Sequence, residues 1–138
     1  MSLFDEAVTA LDYPKVLTGK QKDNILDYFI NNFPIMTAGN GKIDWDCILN
    51  NSDIRHASEL LKLKSIIGQN HCCIIWNDGN LPILVTSLEK LVRAFDDVTA
   101  VSFDTWILIP SKNIVIEHSF GVFKINLSTV GRAQRTIN

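Results

Sequence analysis

The stretch "DTWILIPSKNIVIEHSFGVFKIN", residues 104–126, decides the fold. Two apolar runs meet at Pro110-Ser111-Lys112-Asn113, and a third follows Ser119-Phe120-Gly121. Pro, Asn and Gly at such offsets are turn residues, and short β-branched runs between turns read as strands. The pattern predicts strands at about 99–109, 113–118 and 122–127. Their connections are too short for anything but an antiparallel meander.

Alternation along a strand then sorts the side chains. Ile114, Ile116 and His118 share one face, and Asn113, Val115 and Glu117 share the other. Val101, Phe103, Ile107 and Ile109 alternate with Ser102, Asp104, Trp106 and Leu108, so both faces carry apolar weight, as in a sheet covered on both sides. Glu117 and His118 point apart and form no dyad by adjacency. Trp106 is expected in the core with its indole N–H satisfied. Glu117, a carboxylate on a central strand, requires a partner, and a structural hydrogen bond or ion pair is expected before catalysis.

Working outward, "HCCIIW" (71–76), bounded by "NDGN", predicts a buried strand. "LPILVTS" (81–87) leads into Thr86-Ser87-Leu88-Glu89, which has capping-box spacing, and the helix behind it turns Leu88, Leu91, Val92 and Phe95 inward. The first half reads as helical. Ser2 caps a helix carrying Phe4, Val8 and Leu11, interrupted by Pro14. Thr18-Gly19-Lys20-Gln21 predicts a second capping box, followed by a stripe of Ile25, Phe29 and Phe33 that Pro34 ends. "TAGNGK" (37–42) is a loop, and "DWDCILNN" holds a single helical turn. Ser52 opens the clearest helix, with Ile54, Ala57, Leu60, Leu61 and Ile67 inward and Gly68 as its stop. Residues 128–138 read as a frayed end. The expectation is one α+β domain over residues 1–138, its helical N-terminal half packed on a mostly antiparallel sheet meander from the C-terminal half.

The 138 residues suit one domain with a core that needs no disulfide or metal. A net charge of −2 and a pI near 5.8 argue against direct nucleic-acid binding, since Lys and Arg are scattered without a basic block. No apolar run has the roughly 20 residues of a membrane helix. "MSLFDEAVTALDY" lacks the basic start of a signal peptide. Three cysteines, two of them adjacent, point to a reducing compartment, the cytoplasm.

Catalytic and metal signatures are weak. Adjacent Cys72 and Cys73 point to opposite strand faces, and Cys47 does not complete a tetrahedral zinc set. The cysteines are expected to be small buried apolar residues. "AGNGK" (38–42) lacks the spacing of a phosphate loop. No metal or cofactor is expected. An enzyme would have to assemble its site from separated residues such as His71, Cys72 and Glu117 or His118. Between residues 76 and 117 there are six acids against three bases, which suits either a solvated face or a surface that meets a basic protein.

Trp76 to Leu127 resembles small bacterial immunity proteins, those that guard against the toxins of contact-dependent growth inhibition. The likeness rests on "FDDV" and on "SFDTWILIPSKNIVIEHSFGVFKI": an acidic pair after a short helix, a Trp-bearing strand, a Pro-led turn, a Val-Ile-Glu strand and a Gly before the closing strand. It implies a cytoplasmic, non-enzymatic protein that binds and neutralises a cognate toxin domain, a nuclease in many such systems. Asp78, Asp96, Asp97, Asp104 and Glu117 would then supply an acidic partner-binding surface, with Trp106 an aromatic anchor if exposed. A regulatory or scaffold domain with another protein partner is the alternative, and the small enzyme comes third.

Overall fold

The structure is a computed structural model that describes residues 1–36, 41–67 and 71–127. The expected loop at 37–42 lies largely outside these residues, as do the Gly68 stop and the frayed end.

Seven strands form one antiparallel sheet. They are β1 (Lys15–Leu17), β2 (Ser52–Asp53), β3 (Cys72–Trp76), β4 (Ile83–Thr86), β5 (Thr105–Ile109), β6 (Ile114–Ser119) and β7 (Val122–Ile125). Their spatial order is β1-β4-β3-β5-β6-β7-β2. The expected β5-β6-β7 meander is present, with Trp106 opposite Glu117 and Glu117 opposite Lys124. Three strands, β1, β2 and β4, were not foreseen, β4 lying in the 81–87 run that was read only as leading into a helix. β1 and β2 come from the helical half and close the two edges of the sheet.

The helices are α1 (Leu3–Leu11), α2 (Gly19–Asn32), α3 (Lys64–Ile67), α4 (Leu88–Arg93) and α5 (Phe95–Thr99). Ser2 caps α1 through a full capping box with Asp5. The other two caps depart from expectation. Thr18 makes no side-chain cap bond. The α4 cap is Ser87, one residue later than expected, whose hydroxyl accepts from the Lys90 N–H. Glu89 is therefore free to pair with Lys64 at 3.2 Å.

The helix expected from Ser52 is also corrected. Ser52 and Asp53 are strand, and Ala57–Leu63 is a 3₁₀ helix that runs into α3. Ile54, Ala57, Leu60 and Leu63 recur every three residues, the period at which a 3₁₀ helix eclipses its side chains. Leu60 and Leu63 are buried accordingly, whereas Leu61 faces out. Likewise, residues 99–104 do not extend β5. Phe95 and Val98 are buried one turn apart in α5, and the Trp76 indole donates to the Val98 carbonyl at 2.9 Å.

Each face of the sheet has its own core. Ile74, Ile107, Ile114 and Ile116 pack against α1, α4, α5 and the Leu60–Ile67 segment. Cys73, Trp106, Leu108 and Val115 pack against Phe29 of α2, Phe33 just after it, and Ile43. The strict alternation across β5 and β6 produces this two-sided burial.

Candidate functional site

The stretch between Trp106 and His118 places one polar centre on each side of the sheet. On the α2 side, Glu117 is 2% exposed and Trp106 3% exposed. Glu117 Oε2 accepts from the Trp106 indole at 2.8 Å and from the Ile43 N–H at 2.9 Å. Its Oε1 accepts from the Trp45 indole at 2.8 Å. Among the described residues Glu117 enters no ion pair. Three N–H donors converging on one buried carboxyl are a means of holding the 43–45 segment against the sheet, because each donor is otherwise left without water. Both expectations for this pair hold: a satisfied core tryptophan and a hydrogen-bonded glutamate.

Asp104 is also interior, at 7% exposed. It accepts from the Ser119 hydroxyl and from the Asn77 amide at 3.1 Å, joining the ends of β3, β5 and β6. Lys42 approaches it at 3.9 Å. Of the six residues expected on a partner surface, Asp104, Trp106 and Glu117 thus face inward, and the condition set for Trp106 as an anchor is not met. Asp78, Asp96 and Asp97 are exposed and enter no ion pair among the described residues. Asp96 and Asp97 stand together in the first turn of α5, while Asp78 lies in the β3–β4 turn.

On the other side of the sheet Phe95 and Phe123 stack at 5.2 Å, and His118 packs edge-on against both, at centroid distances of 5.5 and 5.1 Å. Burial pushes its imidazole below the usual histidine range. Its Nδ1 is sealed from solvent with no hydrogen-bond partner from another described residue, and so is the hydroxyl of Thr105, its cross-strand neighbour. His118 forms part of the floor of a groove of about 990 Å³, whose walls are the 99–103 loop and the β6–β7 turn. Phe103 and Phe120 line this groove and are 83% and 87% exposed. Sequence alternation put Phe103 on a strand face. The two-residue turn at Phe120-Gly121, where Gly121 takes φ +78°, was the available sign that Phe120 projects outward.

The residues of an assembled enzyme site do not come together. His71 is exposed, Cys72 packs in the core beside α1 and α4, and Glu117 lies on the opposite face. Burial raises the Cys72 thiol to about 12 and pushes Cys73 up as well, which leaves both protonated near neutrality. The neighbouring cysteines point to opposite faces, as expected. Among the described residues no three His, Cys, Asp or Glu side chains are placed to hold a metal ion. No helix among them is long and apolar enough to cross a membrane.

A family model described as CdiI immunity protein EcoliA0-like matches residues 1–123. The chain belongs to this CdiI immunity family. The match spans the helical half as well as the meander, and so extends well beyond the stretch that carries the resemblance in sequence. A CdiI protein is an immunity protein of a contact-dependent growth inhibition system, and its role is to neutralise a toxin. In this CdiI chain the exposed acids of α5 and the Phe103–Phe120 groove are therefore surfaces to be weighed for contact with another protein. No curated protein matches the chain in sequence.

Proposed function

We propose that this immunity protein acts in the cytoplasm as a single non-enzymatic domain that binds the toxin domain of its own system. The toxin is read as a nuclease, whose cleft must be basic to hold a phosphate backbone. The observation that carries this reading is the state of Asp78, Asp96 and Asp97: exposed, and without an ion-pair partner among the described residues. Unpaired surface acids attract a basic partner over a Debye length, about 8 Å at physiological salt, and so speed encounter more than they deepen the final complex. Asp104 joins the ends of β3, β5 and β6, whereas Trp106 and Glu117 lie on the α2 face of the sheet, away from α5, and have a structural part.

The test is stopped-flow association with the inactivated toxin domain encoded immediately upstream. Asp96→Lys together with Asp97→Lys is expected to slow association at least tenfold at low salt, with the difference shrinking as salt rises. Asp78→Lys should act in the same direction. Equal association rates for all three reversals would remove the acidic surface from the mechanism. A tight complex in which the toxin keeps its activity would remove the inhibitor reading itself.

A further inference from the structure

Phe103 and Phe120 pose a problem that the acidic surface does not solve. Each is more than four-fifths exposed, yet the same chain buries Phe29, Phe33 and Phe95. A single exposed apolar residue is ordinary, but two large rings on separate loops around one depression are not. Phe103 precedes β5, and Phe120 sits at the tip of the β6–β7 turn. Between them lies the groove of about 990 Å³, at the upper end of the range of small-ligand pockets and large enough to admit several side chains of a partner.

The groove also has a charge. Asp53 lines it, and the end of α5 forms one wall through Thr99 and Ala100. The Ala100 N–H bonds back to the Asp96 carbonyl at 3.2 Å, which places the Asp96–Asp97 pair one turn from that wall. Lys124 pairs with Asp53 at 2.8 Å, so these two charges offset and the acidity beside the groove comes from Asp96 and Asp97. At the floor, His118 contributes its imidazole ring. The depression is thus aromatic at its rims and acidic beside them.

We infer that this groove is the docking site for the toxin domain, and that it receives a toxin segment presenting a bulky apolar side chain with lysine or arginine beside it. The inference rests on the immunity reading above and adds the place of contact. Phe103 and Phe120 grip the apolar side chain, and Asp96 and Asp97 meet its basic neighbours. Aromatic anchors at the centre of an interface with charge at the rim are the arrangement in which a few residues dominate affinity.

The experiment is calorimetric titration of the inactivated upstream-encoded toxin domain into three proteins: wild type, Phe103→Ala/Phe120→Ala, and Asp23→Lys, which alters an exposed acid of α2 on the other face of the sheet. Both phenylalanines are exposed, so the double variant is expected to melt with the wild type. The inference predicts a dissociation constant at least about 100-fold weaker for the double variant, from two truncated anchor residues. It predicts a change of less than about threefold for Asp23→Lys at moderate salt, where a distant charge matters little. Wild-type binding with the double variant within threefold of it overturns the groove and leaves the immunity reading standing. Failure of the wild type to bind the folded toxin domain overturns both. Sedimentation of the free protein supplies a third outcome: concentration-dependent dimers abolished by the double substitution would assign the groove to a second copy of this chain and overturn its assignment to the toxin.

Discussion

Glu117→Gln is the sharpest probe of how the sheet holds the segment before it. The two carboxyl oxygens receive three N–H groups: Oε2 takes Trp106 and Ile43, and Oε1 takes Trp45. A glutamine keeps one acceptor oxygen. Its best placement puts that oxygen toward Trp106 and Ile43, which turns its NH₂ toward the Trp45 indole, donor against donor. The two retained bonds lose charge assistance, about 1 kcal/mol each, and the Trp45 bond, worth about 1 kcal/mol or more, is lost outright. Trp45 is half-buried and can turn toward water, which limits the penalty at that end. The sum is a destabilisation of about 3 kcal/mol, placing this substitution above the usual range for a polar change. With a urea slope near 1.5 kcal/mol/M, the midpoint should fall by about 2 M, read by tryptophan fluorescence. Glu117→Ala should cost more, because all three donors lose their acceptor and a cavity is left. A double-mutant cycle adds a local check: Trp45→Phe should cost about 1–2 kcal/mol in the wild type and close to nothing beside Glu117→Gln. If Glu117→Gln unfolds within about 0.5 kcal/mol of the wild type, the claim that this carboxyl fastens the 43–45 segment is refuted.

The thiols should divide by burial. A chromogenic disulfide reagent at neutral pH is expected to modify Cys47, slowly because its bond to Asp44 raises its thiol, and to reach Cys72 and Cys73 only after denaturant is added; three fast-reacting thiols in the folded protein would contradict the burial. His118 should make stability fall in mild acid. Its folded value lies below the ordinary 6.5, so the unfolded chain binds the extra proton, and stability is kept above about pH 6.5 and lost as pH falls from there toward the folded value. Asp53, which shares its groove, is already paired with Lys124. Urea midpoints at pH 7.5 and 5.5 should therefore differ less for His118→Phe than for the wild type, and equal differences would dismiss the effect. Ser2→Ala, which removes the α1 capping box, should cost about 1 kcal/mol in thermal or urea melts. Leu91→Ala, at a fully buried position facing α1, should cost about 2–5 kcal/mol by the same measure.

What the sequence revealed, and what it hid, follows from how each element is specified. β5 and β6 are long enough for alternation to register, so the separation of Glu117 from His118 was readable before any coordinates, whereas the burial of Trp106 and Glu117 was not, because both faces of these strands carry apolar residues. β1 and β2 have three and two residues, too few for any period, and exist because the edges of β4 and β7 offer them hydrogen bonds. The segment after Ser52 was misread because a repeat of three was taken for one face of an α-helix. The strand expected from about residue 99 took in the β-branched Thr99 and Val101, but burial of Phe95 and Val98 favours one helical turn there. The partners of Glu117 were not legible, since Ile43 lies 74 residues away along the chain. The groove stayed hidden for a related reason: its two phenylalanines come from separate loops, and only the registered β6–β7 turn brings both to one depression.

The sheet order also governs when this protein becomes competent during its own synthesis. Both outer strands belong to the first half of the chain, but their partners belong to the second, and Ser52 bonds to the Leu127 carbonyl 75 residues later. The ribosome releases the N-terminal segments first, and neither β1 nor β2 has an edge to join until the hairpins behind it have been made. Closing such long loops is slow, and it comes after the local meander rather than before it. The sheet can therefore close only after β7 has emerged, and a ribosome stalled before β7 yields a chain whose β2 has no strand to join.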